Sequence, residues 1–212
     1  MQDADLQAAT ASEPLTIPEE YEMQQSWRTD NDKLTFIVCL PQLSNKGKVQ
    51  GGLDDSPERM IGDINLFLFE PEDDDDNGEE ESNSSTISKP NGVVGEIELM
   101  IARKDLHRQG YGRAALLSFV GYILDSWTQI GAEYNNSGSN DVPKSLDYLR
   151  VKINQSNARS IALFESIGFG QTAAGANYFG EIELRWRPDR STLEKCKGWE
   201  AGELLEYLEE EA

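Results

Sequence analysis

Gly110 and Gly112, within His107-Arg108-Gln109-Gly110-Tyr111-Gly112-Arg113, stand where an apolar stretch ends and a helical pattern begins. A glycine turn that opens a helix aims unpaired backbone N–H groups and the positive end of the helix dipole at one point, which suits a phosphate or diphosphate. Just upstream, Gly95-Glu96-Ile97-Glu98-Leu99-Met100-Ile101 reads as a strand. Alternation puts Val94, Glu96, Glu98 and Met100 on one face and Ile97, Leu99 and Ile101 on the other. An anion cradle and two candidate general bases thus share one crevice. A short Gly-x-Gly is also a common tight connection, and two glutamates are also ordinary on a half-exposed sheet, so neither motif alone fixes a function. A P-loop is excluded because no Gly-Lys-Ser/Thr is present, and a dinucleotide fingerprint lacks its third glycine after Gly112.

The elements that must position these groups continue into the second half. Leu149-Arg150-Val151-Lys152-Ile153 reads as a strand, and Asn154-Gln155-Ser156-Asn157 starts a helix through Ile161, Phe164 and Ile167 that Gly168 stops. This order of Asn154, Asn157, Ser160, Leu163-Phe164 and Ile167-Gly168-Phe169, taken with the glycine turn, resembles the GCN5-related N-acetyltransferase (GNAT) superfamily. Thr10-Ala11-Ser12-Glu13-Pro14-Leu15-Thr16, Gly62-Asp63-Ile64-Asn65-Leu66-Phe67-Leu68 and Gly95-Glu96-Ile97-Glu98 narrow the resemblance to the N-acetyltransferase-nine-like subfamily, close to the RimJ/RimL type. It covers about residues 8 to 187.

The resemblance implies an α/β (α+β) acyl-coenzyme A N-acyltransferase fold, with a mixed, mostly antiparallel central sheet, splayed strands and flanking helices. It implies transfer of acetyl from acetyl-coenzyme A to a protein amine, a chain terminus or a lysine, by direct attack in a ternary complex. The family's phosphate loop falls on His107, Arg108, Gln109, Gly110, Tyr111, Gly112 and Arg113, with His107 in the place of the usual Gln or Arg. Arg108 and Arg113 are candidates for charge-assisted contacts to phosphate. Many members carry a glutamate fourteen residues before the first loop glycine, which is the spacing of Glu96 to Gly110; Glu98 is the alternative. Such a carboxylate is needed because an amine is mostly ammonium at neutral pH and must lose a proton before it attacks. Leu99, Met100 and Ile101 are expected to line pantetheine, with a main-chain N–H near Leu99 or Met100 as oxyanion donor. Asn154 and Asn157 either touch coenzyme A or cap the next helix. Phe164 stands where many members have a tyrosine that protonates the leaving thiolate, so it is read as core or cofactor wall, and Ser160 or Tyr178 would have to substitute.

Relatives of this type carry a first strand and a helix ahead of the Thr10–Pro14 segment, whereas nine residues precede Thr10 here. The resemblance therefore implies an exposed edge at Lys33 to Leu40 and an acceptor groove short of one wall. A catalytically impaired acyl-coenzyme A-binding or protein-interaction module, and a small-molecule amine acetyltransferase, are the alternative functions.

Residues 1–32 read as an N-terminal remnant with a short helix from Pro18 to Trp27, 33–187 as the acetyltransferase domain, and 188–212 as an acidic terminal helix or tail, amphipathic through Trp199, Leu204, Leu205 and Leu208. Within the domain, 41–58 and the acidic insert 70–92 are expected to be disordered loops between strands at Lys33–Leu40, Met60–Phe69 and Val93–Ile101. The long helix after Gly110 presents Leu116, Val120, Ile123, Leu124 and Trp127 as one apolar stripe. Strands at Phe169–Ala173 and Tyr178–Trp186 complete the sheet, and 131–147 is a polar connector.

The formal net charge of −20 is local. Residues 70–83 hold nine acidic groups and the last thirteen residues six, neither with a base; setting them aside leaves 24 acidic against 19 basic groups, a net −5. Nucleic acid is thereby excluded as a partner. The lack of a long apolar run or signal peptide argues against a membrane and for a cytoplasmic protein with access to the nucleus. Cys39 and Cys196 form no framework, and no metal-ligand spacing is present.

Overall fold

The computed structural model describes residues 15–43, 47–71, 92–135 and 145–209. In chain order the elements are α1 (Ile17–Trp27), β1 (Lys33–Cys39), β2 (Lys48–Gln50), β3 (Met60–Phe69), β4 (Gly92–Ile101), α2 (Tyr111–Asn135), β5 (Ser145–Asn154), α3 (Ala158–Glu165), β6 (Gly170–Gln171), β7 (Glu181–Trp186), α4 (Arg190–Leu193) and β8 (Glu206–Leu208). Six strands form one sheet in the order β1-β3-β4-β5-β7-β6, so β1 is an outer strand among the described residues. Within this sheet, among the described residues, the β4–β5 pair alone is parallel and the others are antiparallel. The sheet is thus mixed, mostly antiparallel and flanked by helices.

Alternation divides the sheet into an apolar and a polar face. Ile64, Leu66, Ile97, Leu149, Val151 and Leu184 belong to one core cluster with Leu116, Val120 and Ile123 of α2 and Phe164 of α3, and Leu34 and Leu99 pack against it. The stripe expected on the long helix is this contact: Leu116, Val120 and Ile123 are fully buried, and Leu124 and Trp127 pack at its rim. Phe36 stacks edge-on against Phe119 and Tyr122, which anchors the outer strand to the same helix. The opposite face carries Lys33, Thr35, Asp63, Asn65, Glu96, Glu98, Arg150 and Lys152, all at the alternate strand positions.

Two expectations need correction. The segment expected to end in an amphipathic helix instead forms β8, a strand parallel to β2, and Leu204 is 87% exposed. The 41–58 stretch is not a bare loop, because it supplies β2 and a turn held by Asp54, whose carboxylate accepts the N–H groups of Gln50 (2.9 Å) and Leu43 (3.2 Å). Lys48 pairs with Glu206 at 2.7 Å, and the Tyr207 hydroxyl donates to Asp55 at 2.8 Å. The chain just past Trp186 also joins the core: Leu193 is fully buried, and Arg190 pairs with Asp125 of α2. The Thr10–Pro14 segment and nearly all of the acidic insert (72–91) lie outside the described residues.

Candidate active site

The β4–β5 pairing ends early. Register runs from Gly92↔Ser145 to Glu96↔Arg150 and no further. Beyond it β4 continues against β3 as far as Gly62↔Ile101, and β5 continues against β7 as far as Asn154↔Glu181. The facing edges of Ile97–Ile101 and Val151–Asn154 therefore carry backbone groups unpaired with each other, at the carboxyl ends of two parallel strands. Ligands of open α/β sheets bind at such a position.

The glycine loop closes the end of that gap. After β4, Arg103 pairs with Asp105 at 2.6 Å and one turn of 3-10 helix follows over Lys104–Leu106. His107 Nε2 lies 2.7 Å from the Ile101 carbonyl; the carbonyl can only accept, so this nitrogen carries the proton. Gln109 donates to the Asp105 carbonyl at 2.8 Å. These two side chains brace the loop internally, which explains why a histidine serves at a position read as a phosphate contact. Arg108 and Gly110 both have positive φ, +65° and +93°. At Gly110 a Cβ would meet nothing within 4 Å, so the glycine meets a backbone need and leaves the cradle open. The Tyr111, Gly112 and Arg113 N–H groups, in the first turn of α2, have no carbonyl to reach within the helix. Gly112 sits on Leu99, Ile101 and Leu163, so α2 begins directly against the splayed end of β4.

The two glutamates have separate environments. Glu96 Oε2 accepts from Arg150 Nε at 2.6 Å and lies 3.7 Å from Lys152 Nζ, with side-chain exposures of 16% for Glu96 and 7% for Arg150. Arg150 also stands over the Phe69 ring. Glu98 has no hydrogen bond or salt bridge among the described residues and remains open to solvent. Its carboxyl pKa is raised, chiefly by the mass of protein around it, then by Glu96 and Asp63, against an opposing effect of Lys33. It lies on the unpaired part of β4, two residues beyond the last contact with β5.

A model of the acetyltransferase (GNAT) domain matches residues 1–170. The chain belongs to the GNAT acetyltransferase family. It is 40% identical over 194 residues to an N-acetyltransferase 9-like protein of Schizosaccharomyces pombe, covering 87% of this chain and 83% of that one. It is 35% identical over 185 residues to the human alpha/beta-tubulin-N-acetyltransferase 9, covering 87% of this chain and 70% of the relative. Among solved structures, the aminoglycoside acetyltransferase AAC(6')-Ib in complex with coenzyme A aligns with a TM-score of 0.54 at 13% identity, over 92% of this chain and 88% of that one. That likeness concerns the fold.

Other residues expected in this GNAT site have internal duties. Asn154 Oδ1 accepts from the Ser156 N–H (3.0 Å) and hydroxyl (2.6 Å), and Asn157 caps α3 by accepting the Ser160 N–H at 3.2 Å. Phe164 is 3% exposed and edge-on to Phe169, so it is a core residue and lines no open wall. Arg113 points away from the cradle, its Nε donating to the Lys197 carbonyl (2.8 Å) and Nη1 to Ser166 Oγ (2.6 Å). Tyr178 is 97% exposed and stacks on Phe179, so no contact ties it to the gap. Sequence reasoning missed Arg150, Lys152, Lys33, Asp63 and Asn65 as neighbours of the glutamates. Their signal was polar residues at alternate positions of otherwise apolar strands, but the partner strand of each is set by register.

Among the described residues no helix is long and apolar enough to cross a membrane, and no group of histidine, cysteine, aspartate and glutamate could hold a metal.

Proposed function

We propose that this GNAT acetyltransferase moves an acetyl group from acetyl-coenzyme A to an amine of a protein acceptor, either a chain terminus or a lysine, with tubulin the first candidate. The observation that carries the reading is the unpaired stretch between β4 and β5, closed at one end by the first turn of α2 and bordered by Glu98. The tubulin acceptor comes from the human relative's name.

The residues fit the cosubstrate. The N–H groups of Tyr111, Gly112 and Arg113 suit the diphosphate, with Gly110 keeping side-chain atoms out of the cradle. The free edges of Ile97–Ile101 and Val151–Asn154 suit the amides of pantetheine, which pair as a strand would. Acetyl-coenzyme A supplies the acetyl group as an activated thioester. An N–H of β4 near Leu99 or Met100 donates to the carbonyl oxygen as negative charge develops there.

Glu98 is the general base in this reading. Its carboxylate takes one proton from the acceptor ammonium, directly or through one water; the neutral nitrogen attacks the thioester carbon, and as the carbon–sulfur bond breaks the nitrogen gives up its second proton to solvent. A raised pKa brings the base nearer to that of the amine it serves. Glu96, held by Arg150 and Lys152, is a positioning residue that fixes the last paired rung before the gap. No described side chain is assigned as the acid: solvent delivers the proton to the thiolate.

The test incubates the chain and radiolabelled acetyl-coenzyme A with purified tubulin, with one peptide carrying a free terminus, and with one carrying a single lysine. Label on tubulin or a peptide, mapped to one nitrogen by mass spectrometry, supports the reading. Label found only on free small amines overturns the protein acceptor, and no transfer at all overturns the enzymatic function.

A further inference from the structure

The polar sheet face beside Glu98 holds oxygens that the fold leaves unsatisfied. Asn65 of β3 is 8% exposed, and its Oδ1 is buried without a hydrogen-bond partner. Its Nδ2 donates to Asp63 Oδ2 at 2.8 Å, which fixes the orientation of the amide. Thr35 Oγ1, on the residue paired with Asn65 from β1, is buried and unpartnered too. On the other side Asn65 pairs in register with Glu98. Thr35, Asn65 and Glu98 thus form one row across three strands, with Asp63 one step along.

A buried acceptor without a donor is destabilising, and such orphans mark strain or a ligand position. The charges indicate what the ligand would be. Glu96 is neutralised by Arg150 and Lys152, whereas among the described residues Lys33 is the cation that acts on both Asp63 and Glu98, held over the Trp27 and Phe67 rings at 4.0 and 4.5 Å. Asp63, Glu98 and Lys33 sum to one negative charge. The group that complements two carboxylates and an orphaned amide oxygen has one positive charge and three N–H donors.

Resting on the transferase reading above, we infer that Asp63 and Asn65 form, with Glu98, the seat of the acceptor's primary ammonium. Asn65 Oδ1 accepts one N–H, Asp63 a second, and Glu98 the third, which is the proton it removes. Loss of that proton frees the nitrogen lone pair for attack. The seat favours a primary amine over a secondary one, since it offers three acceptors.

Steady-state kinetics at saturating acetyl-coenzyme A test this on the parent chain, Asp63→Asn and Asn65→Leu. One peptide has a free terminus and no lysine, the other a blocked terminus and one lysine. Each variant is expected to raise the acceptor KM about tenfold or more for the peptide the parent uses, with coenzyme A affinity within about twofold of the parent. Asp63→Asn also removes a negative neighbour of Glu98, so the acidic limb of its kcat/KM profile moves to lower pH. The other charges facing Glu98, namely Lys33 on β1 (itself near Asp30 and Asp32), Glu96 on β4, and Arg150 and Lys152 on β5, stay in place. The limb reports only the charge of Asp63 near Glu98, whereas a purely structural role would not move the acceptor KM selectively. If Asn65→Leu fails to fold, Asp63→Asn, at a half-buried position, carries the test. An unchanged acceptor KM in Asp63→Asn, while Glu98→Gln still loses kcat, overturns the seat and leaves the transferase reading standing. A parent chain that acetylates neither peptide nor tubulin removes both.

Discussion

Glu98→Gln and Glu96→Gln are expected to fail in opposite ways. Glutamine at 98 keeps size and polarity but cannot take a proton. Loss of a general base lowers kcat by about a hundredfold or more, equivalent to about 3 kcal/mol in the barrier. Its fold should be no weaker at neutral pH, because the surrounding protein mass, Glu96 and Asp63 together outweigh Lys33 in disfavouring the charged carboxylate that it replaces. Glutamine at 96 removes the carboxylate charge that pairs at 2.6 Å with Arg150, a side chain only 7% exposed. Removing one partner of a buried pair costs about 3–5 kcal/mol; Lys152, the Phe69 ring and the retained amide oxygen set the lower end, about 3 kcal/mol. For a domain of this size that is a fall in Tm of roughly 10 °C. Coenzyme A thiol release under saturating substrates gives kcat, and thermal melts followed by circular dichroism give Tm. A Glu96→Gln protein that melts like the parent yet loses kcat a hundredfold, beside an active Glu98→Gln, would refute the assignment and make Glu96 the base.

Other outcomes follow from the same contacts. The kcat/KM of the parent should fall with acidity at a pH above the ordinary carboxylate range, since the Glu98 pKa is raised; a profile falling only near pH 4 contradicts this. Asp63 and Glu98 bind protons more tightly when folded than unfolded. Stability is therefore greatest below the ordinary carboxylate pKa of about 4 as far as these two groups decide it, and their contribution declines as pH rises through the raised values. Urea titrations across pH should show that decline blunted in Asp63→Asn. Gly51→Ala would push a Cβ to 2.6 Å from the Tyr207 hydroxyl and 2.9 Å from the Leu208 carbonyl, so β8 should detach and the Gly51 N–H lose its protection from hydrogen exchange. An equally protected Gly51 shows that the tail tolerates the methyl group.

Much of the frame was legible in the chain because local pattern and tertiary demand agree there. Met60–Phe69 alternates between a core face and a polar face, and Leu116, Val120 and Ile123 recur at helical spacing, so both elements form where expected. The glycine loop was legible too, as its φ values require what Gly110 supplies. β8 was not, because Leu204, Leu205 and Leu208 fit a helical face and only the distant Lys48–Gln50 edge makes them a strand. The site was half legible. Spacing to Gly110 favoured Glu96, but the ion pair that occupies it comes from Arg150, across a parallel pairing that no local pattern predicts. Asn154 and Asn157 posed a choice between cofactor and cap, and their hydrogen bonds are those of turns and caps. Asn65 escaped notice because an asparagine inside an apolar strand gives no sign of which of its atoms lacks a partner.

Titration calorimetry of acetyl-coenzyme A into this chain and into Gly110→Pro tests the central claim most directly. Proline holds φ near −65° and so cannot follow the +93° of Gly110, which displaces the N–H groups at the head of α2. The account predicts one site per chain on the parent, weakened at least about tenfold in the variant, with both proteins folded. Equal binding by the two would place the cosubstrate outside the glycine cradle, and no binding by the parent would contradict the acetyl-coenzyme A site altogether.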